Sequence, residues 1–125
     1  MALTFYQYPK CSTCQKALAW LREQNIAFTA IDLVATPPTV AQLDRWTRAA
    51  TTPLSGFFNT SGQSYRDGGF KDRLATMSRD EQLAALAADG KLIKRPILVN
   101  EDGRGLRVAV GFRTSEAFEQ VLTAG

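Results

Sequence analysis

The chain contains no histidine. That removes Ser-His-Asp and Cys-His catalysis and every zinc site that relies on imidazole. Cysteine is scarce, with two in 125 residues, too few for a four-thiolate cage. No metal site is expected, and chemistry has to run on thiol, carboxylate, hydroxyl, lysine or arginine. Long hydrophobic runs are missing as well: no stretch approaches the roughly 20 apolar residues of a membrane span. The opening Met1-Ala2-Leu3-Thr4-Phe5-Tyr6 lacks the basic-then-apolar order of a secretory signal. The expected compartment is therefore the cytoplasm, with no membrane contact. Charge of one sign is not concentrated either. The net charge is +3 and Lys94-Arg95 is the only basic doublet, which argues against a duplex-binding arm and direct nucleic-acid contact.

What is present is an ordinary globular composition, 45% apolar and 22% charged. It suffices for one core without disulfide staples, and residues 1–125 read as a single domain. No repeat, low-complexity segment or long linker divides it. Residues 3–8 are rich in aromatic and β-prone side chains and predict a first strand, stopped by Pro9. Residues 12–24 carry Ala17, Leu18 and Leu21 at helical spacing. Residues 27–33 predict a second strand, so the opening is a β-α-β unit that favours a parallel pair.

Pro37-Pro38 breaks the chain. Thr39 with Gln42 then forms a capping-box pattern, opening a helix over about 40–50 with Val40, Leu43 and Trp46 or Thr47 toward the core. Residues 51–69 are dense in Gly, Ser, Thr and Asn and show no clear period. Ser78 with Glu81 repeats the capping-box pattern for an Ala/Leu helix ending at Gly90. Residues 39–90 thus form a helical insertion. Residues 93–100 predict a third strand interrupted by Pro96. Glu101-Asp102-Gly103 predicts a hairpin turn into a fourth strand over 106–110. Thr114 caps a final helix carrying Phe118, Val121 and Leu122. The order βαβ, insertion, ββα describes an α/β, thioredoxin-like mixed four-stranded sheet flanked by helices, with the insertion between strands 2 and 3.

The segment Tyr8-Pro9-Lys10-Cys11-Ser12-Thr13-Cys14 carries the chemistry. A Cys-x-x-Cys follows a strand directly and opens a helix. Cys11 falls at the helix N-terminus, where unpaired N–H groups and the macrodipole favour a thiolate. Lys10 and Lys16 add positive potential. Cys14 lies one turn on, within reach of a sulfur bound to Cys11. Cys11 is thus the expected nucleophile and Cys14 the resolving thiol, although the same spacing also suits two inert buried thiols or half a metal site. Pro96 inside an apolar strand is unfavourable in a sheet centre, but fits if the Arg95–Pro96 bond is cis and the strand begins there. Similarity to thioredoxin-like folds, in which such a proline lies beside the active thiol, implies that Arg95 points at Cys11 or at an anion bound there; the alternative is a surface arginine before an edge proline. Lys10, Ser12, Thr13 and Pro96 are candidate substrate-binding residues. Phe57, Phe58, Tyr65 and Phe70 are expected to form the core of the insertion, and Tyr65-Arg66-Asp67 is polar enough to line a cleft facing Cys11.

Tyr8-x-x-Cys11-x-x-Cys14, Pro37-Pro38-Thr39, Phe57-Phe58-Asn59-Thr60, Leu92-Ile93-Lys94-Arg95-Pro96-Ile97 and Val110-Gly111-Phe112 occur in this order and spacing. Together they resemble the arsenate reductase/Spx/MgsR family over nearly the whole chain. The resemblance implies a catalytic Cys11 and a cis Pro96. Glutaredoxin-linked reductases of that family use one cysteine and three anion-binding arginines. Arg95 matches the second arginine, and Asn59 stands where the first falls and joins the candidate substrate-binding residues. The third position falls near Val110 or Gly111, with Arg107 and Arg113 close by but out of register. The second cysteine resembles the Spx branch, although the glycine expected for its polymerase contact falls near Pro53. The resulting expectation is a cytoplasmic, monomeric thiol-disulfide redox protein, a reductase of the arsenate reductase-like family acting through Cys11, Cys14 and Arg95. It holds no bound cofactor, and glutathione/glutaredoxin or thioredoxin is its reductant. The alternatives are an Spx-like redox-responsive regulator binding the RNA polymerase α subunit, and a true arsenate reductase using glutathione and glutaredoxin.

Overall fold

Leu3 and Phe5 alternate with Tyr6 across strand β1 (Ala2–Gln7), so that both faces of this strand are covered. The computed structural model describes residues 2–103 and 105–123; the outermost residues of the expected 1–125 domain lie outside the described residues. β1 is one of the two inner strands of a four-stranded sheet ordered β2-β1-β3-β4. Its parallel neighbour is β2 (Thr29–Asp32), reached through helix α1 (Ser12–Glu23). Its antiparallel neighbour is β3 (Ile97–Asp102), which pairs in turn with antiparallel β4 (Gly105–Val110). This is the mixed, thioredoxin-like sheet that the order of elements predicts.

Two apolar layers cover the sheet. On one face α1 and the last helix supply Ala17, Leu21, Phe118 and Val121 against Leu3, Phe5, Leu98 and Ala109. On the other the insertion supplies Leu43, Trp46, Phe57, Leu83 and Leu86 against Tyr6, Ile97, Val99 and Val108. The insertion contains α2 (Val40–Ala49), α3 (Gln63–Asp67), α4 (Phe70–Arg73) and α5 (Arg79–Ala88), and α6 (Glu116–Thr123) closes the chain. Both capping boxes form, with Thr39 and Ser78 each exchanging hydrogen bonds with the residue three positions on.

Several boundaries differ from expectation. Leu43, Trp46 and Thr47 are buried, but Val40 is 44% exposed; as the first residue of α2 it stands at the helix's open end. Residues 51–69 are not structureless. They hold a 3-10 turn (Leu54–Phe57) and α3, pieces too short to display a period. β3 begins only after the cis Arg95–Pro96 bond, and Ile93 forms an isolated bridge to Phe58. Pairing of β3 with β4 extends to Asp102 against Gly105, so Glu101 and Asp102 belong to the strand. α6 starts two residues after Thr114, whose hydroxyl accepts a hydrogen bond from the Glu116 N–H at 3.3 Å.

Candidate active site

β1 ends at Gln7, and the chain turns through Tyr8, Pro9 and Lys10 into α1. The turn is closed by the Cys11 N–H, which donates to the Tyr8 carbonyl at 2.9 Å. Cys11 is the N-cap of α1, with extended backbone (φ −86°, ψ 120°). Its sulfur takes the place of the usual capping oxygen and accepts from the Cys14 N–H at 3.4 Å. That hydrogen bond satisfies one of the helix's first unpaired amides. Both cysteines are free thiols, Cys11 half-buried and Cys14 buried.

The two sulfurs are pushed in opposite directions. Burial pulls the Cys11 pKa upward, but it is outweighed by hydrogen bonds from the Cys14 N–H and thiol, by the Arg95 charge and by the Thr13 N–H. The Cys11 thiol therefore lies below its ordinary value of 9.0. Burial drives Cys14 the other way, up to about 12. A negative, hydrogen-bond-accepting Cys11 adds to that rise, while a main-chain hydrogen bond from Tyr8 and the charge of Arg95 oppose it. The pair thus consists of one thiol disposed to ionise and one held neutral behind it.

Cys11 opens into a cleft of about 630 Å³. Thr13, Asn59 and Arg95 line it, as do Ser61, Lys94, Arg113 and Thr114. No carboxylate is among the described residues lining it. Arg95 reaches the cleft from the loop before Pro96, with its guanidinium over the Tyr8 ring at 5.1 Å. Its Nη1 donates to the carbonyls of Lys91 at 3.1 Å and Ile93 at 3.3 Å.

Of the residues proposed from sequence, the cleft gathers Cys11, Thr13, Asn59 and Arg95. Cys14 is fully buried and does not line it. Lys10 and Ser12 are exposed outside the lining, and buried Pro96 stands behind Arg95. Tyr65 stacks on Phe70 at 6.0 Å and does not line the cleft, nor do Arg66 and Asp67. Sequence reasoning placed Arg95 as the one arginine of the site, with Lys10 and Lys16 as further positive charge near Cys11. The cleft also holds Lys94 and Arg113, whereas Arg107 is drawn to Asp102 at 2.7 Å and lines a separate cavity of about 220 Å³. The cause is local. Gly111 has φ +80°, a conformation other residues rarely adopt, and a Cβ there would lie 3.2 Å from the Lys94 Cε. Gly111 bends the chain out of β4, leaves room for the Lys94 stem and brings residue 113 round to the cleft. The only signal in the sequence was the glycine itself. Among the described residues no group of three or more cysteine, aspartate or glutamate side chains could hold a metal ion, and no helix is long and apolar enough to cross a membrane.

A thioredoxin-like sheet with an ionisable cysteine capping α1 and a cis proline before β3 defines the class, and the chain belongs to the ArsC family, which it matches over residues 6–120. It is 44% identical to YusI of Bacillus subtilis over 96% of this chain and 98% of that protein. Regulatory protein MgsR of Bacillus subtilis is 29% identical over 91% of this chain and 86% of its own length. Global transcriptional regulator Spx 2 of Bacillus anthracis is 25% identical over 91% and 82%. Among solved structures, an ArsC family related protein from Bacteroides fragilis superposes with a TM-score of 0.88 at 45% identity, covering 97% of this chain and 98% of that one. Arsenate reductase from Vibrio cholerae superposes with a TM-score of 0.81 at 29% identity, covering 95% and 97%.

Proposed function

We propose that this protein is a cytoplasmic thiol-disulfide oxidoreductase for anionic substrates, acting through Cys11 and Cys14. The observation that carries this reading is the Cys11 sulfur itself: lowered in pKa and open to a cleft whose charged side chains are Lys94, Arg95 and Arg113. The Cys11 thiolate attacks one sulfur of a substrate disulfide. A new S–S bond forms, the old one breaks, and the departing thiolate takes up a proton. Cys14 then attacks the Cys11 sulfur, expelling the second substrate thiolate and leaving a Cys11–Cys14 disulfide. Two electrons have passed to the substrate. Burial still opposes ionisation of Cys14, but once Cys11 is consumed its charge and hydrogen bond no longer add to that opposition, while the Tyr8 main-chain hydrogen bond and Arg95 continue to favour the Cys14 thiolate. Glutathione with glutaredoxin, or thioredoxin, returns the pair to the dithiol. Thr13 and Asn59 add neutral hydrogen-bond donors along the cleft wall.

The test is an activity panel with arsenate and with charged and neutral disulfides, each with glutathione/glutaredoxin and with thioredoxin. Turnover of a charged disulfide that needs Cys11 supports the reading. Turnover of arsenate with glutathione, at a specificity constant of about 10⁴ M⁻¹s⁻¹ or above, would make the arsenate reductase assignment the better one. Inactivity on every substrate would overturn the enzymatic reading. A second reading is favoured by the likeness to MgsR and Spx across 91% of the chain: the same cysteine pair acts as a redox switch on a regulator that binds RNA polymerase. Retention of the polymerase α subunit by the protein, changed by oxidation, is the result that would favour it.

A further inference from the structure

Resting on the reading of Cys11 as the nucleophile, we propose that Tyr8 is a positioning residue for Arg95: its ring is the platform that holds the guanidinium in register with the Cys11 sulfur. Three observations converge on it. The Arg95 guanidinium lies over the Tyr8 ring at 5.1 Å, within the distance at which a cation is attracted to an aromatic face. Nη1 is committed to the carbonyls of Lys91 and Ile93. Those bonds fix one corner of the guanidinium and leave its plane free to swing about that corner, so the ring supplies the missing constraint. Nε and Nη2 have no hydrogen-bond partner among the described residues, and they belong to a side chain that lines the cleft. They are the donors an incoming anion would meet.

Tyr8 and Cys11 are also joined through the backbone. Tyr8 is separated from Cys11 by Pro9 and Lys10 only, and its carbonyl accepts the Cys11 N–H at 2.9 Å. The ring and the nucleophile therefore ride on one hydrogen-bonded turn. Arg95 arrives from a different part of the chain, ahead of β3. Without the stack, only the charge of Cys11 itself would draw it toward that turn. The charge of Arg95 acts on both sulfurs. The other charged or ionisable groups around Cys11 are Cys14 on α1, exposed Lys10 in the turn, Lys94 beside Arg95, and Arg113 after β4. Arg95 is the cation stacked on the Tyr8 ring, so loss of the ring is expected to act on Cys11 through Arg95.

The experiment is peptide-resolved alkylation of Cys11 by iodoacetamide across pH 5–10. It compares the natural protein with Tyr8→Phe, Tyr8→Leu, Tyr8→Met, Arg95→Ala and the Tyr8→Leu/Arg95→Ala double variant, with thermal melting as the check on folding. Tyr8→Leu and Tyr8→Met should raise the Cys11 titration midpoint and slow alkylation near pH 7 by about two- to fivefold, the range expected from an exposed cation–π contact. Tyr8→Phe, which keeps the ring, should retain the natural midpoint. The double variant should match Arg95→Ala alone. The inference is overturned if the ring-less variants titrate like the natural protein, if Tyr8→Phe shifts as far as they do, or if Tyr8→Leu adds its effect on top of Arg95→Ala. If instead Cys11 of the natural protein shows no enhanced thiol reactivity, it is the proposed function that falls.

Discussion

Two sulfurs one helical turn apart differ because one is a cap and the other is core. Cys11 takes the amides that a helix start leaves unpaired, whereas Cys14 sits among buried side chains. The difference has a consequence for stability. The pKa of Cys14 is raised from 9.0 to about 12, so the folded state holds this proton more tightly than the unfolded chain does. Stability is unaffected below the unfolded value and falls as pH climbs from about 9 toward 12. Cys14→Ala should therefore lose less stability than the natural protein between pH 8.5 and 10.5 in urea melts, and parallel pH profiles would contradict this. The cleft cations make a separate prediction. Lys94→Ala and Arg113→Ala should each raise KM for an anionic disulfide by about fivefold, the worth of a partly exposed ion contact. KM for hydroxyethyl disulfide, which is neutral, should not change. Equal effects on both substrates would point to damage rather than lost charge.

The elements were legible where local chemistry decides them. Strand-then-cysteine, the Thr39 and Ser78 boxes and the proline at 96 are signals within a few residues of their effect, and each is found in the structure. Removing the Ser78 hydroxyl tests one directly: Ser78→Ala should lower stability by about 1 kcal/mol, read as a shift in the urea midpoint with unchanged slope. No shift would mean that packing of Leu83 and Leu86 alone fixes α5. What was not legible depends on distant geometry. Arg113 looked out of register because counting along β4 assumes a straight strand, and Gly111 turns the chain before that count is complete. Residues 51–69 looked irregular because their order comes from contacts such as Phe58 against Phe70 at 5.7 Å, which pair residues twelve apart and leave no helical or strand period. Val40 fitted the apolar pattern but lies at the end of its helix.

At the scale of the whole molecule, the sheet joins two apolar layers, and the Cys11 cleft draws its walls from both sides of it. α1 belongs to one layer, while Asn59, Ser61 and Lys94 come with the insertion and its exit. The docking of the insertion therefore shapes the site. The approach is tight at Gly90, where a Cβ would stand 2.0 Å from the Leu33 carbonyl oxygen just beyond β2. Gly90→Ala should cost about 1–3 kcal/mol, as overpacking does, and should loosen substrate affinity in the same variant. A neutral outcome in thermal melting would show that the insertion can shift without cost.

Trapping with oxidised glutathione tests the division of labour between the two thiols most directly. Intact-mass analysis after brief exposure near pH 7.5 should show Cys14→Ser holding one glutathione as a lasting mixed disulfide at Cys11. Cys11→Ser should remain unmodified, because Cys14 is buried and protonated. The natural protein should lose two hydrogens and hold no glutathione. A mixed disulfide that accumulates on Cys11→Ser and not on Cys14→Ser would contradict the account.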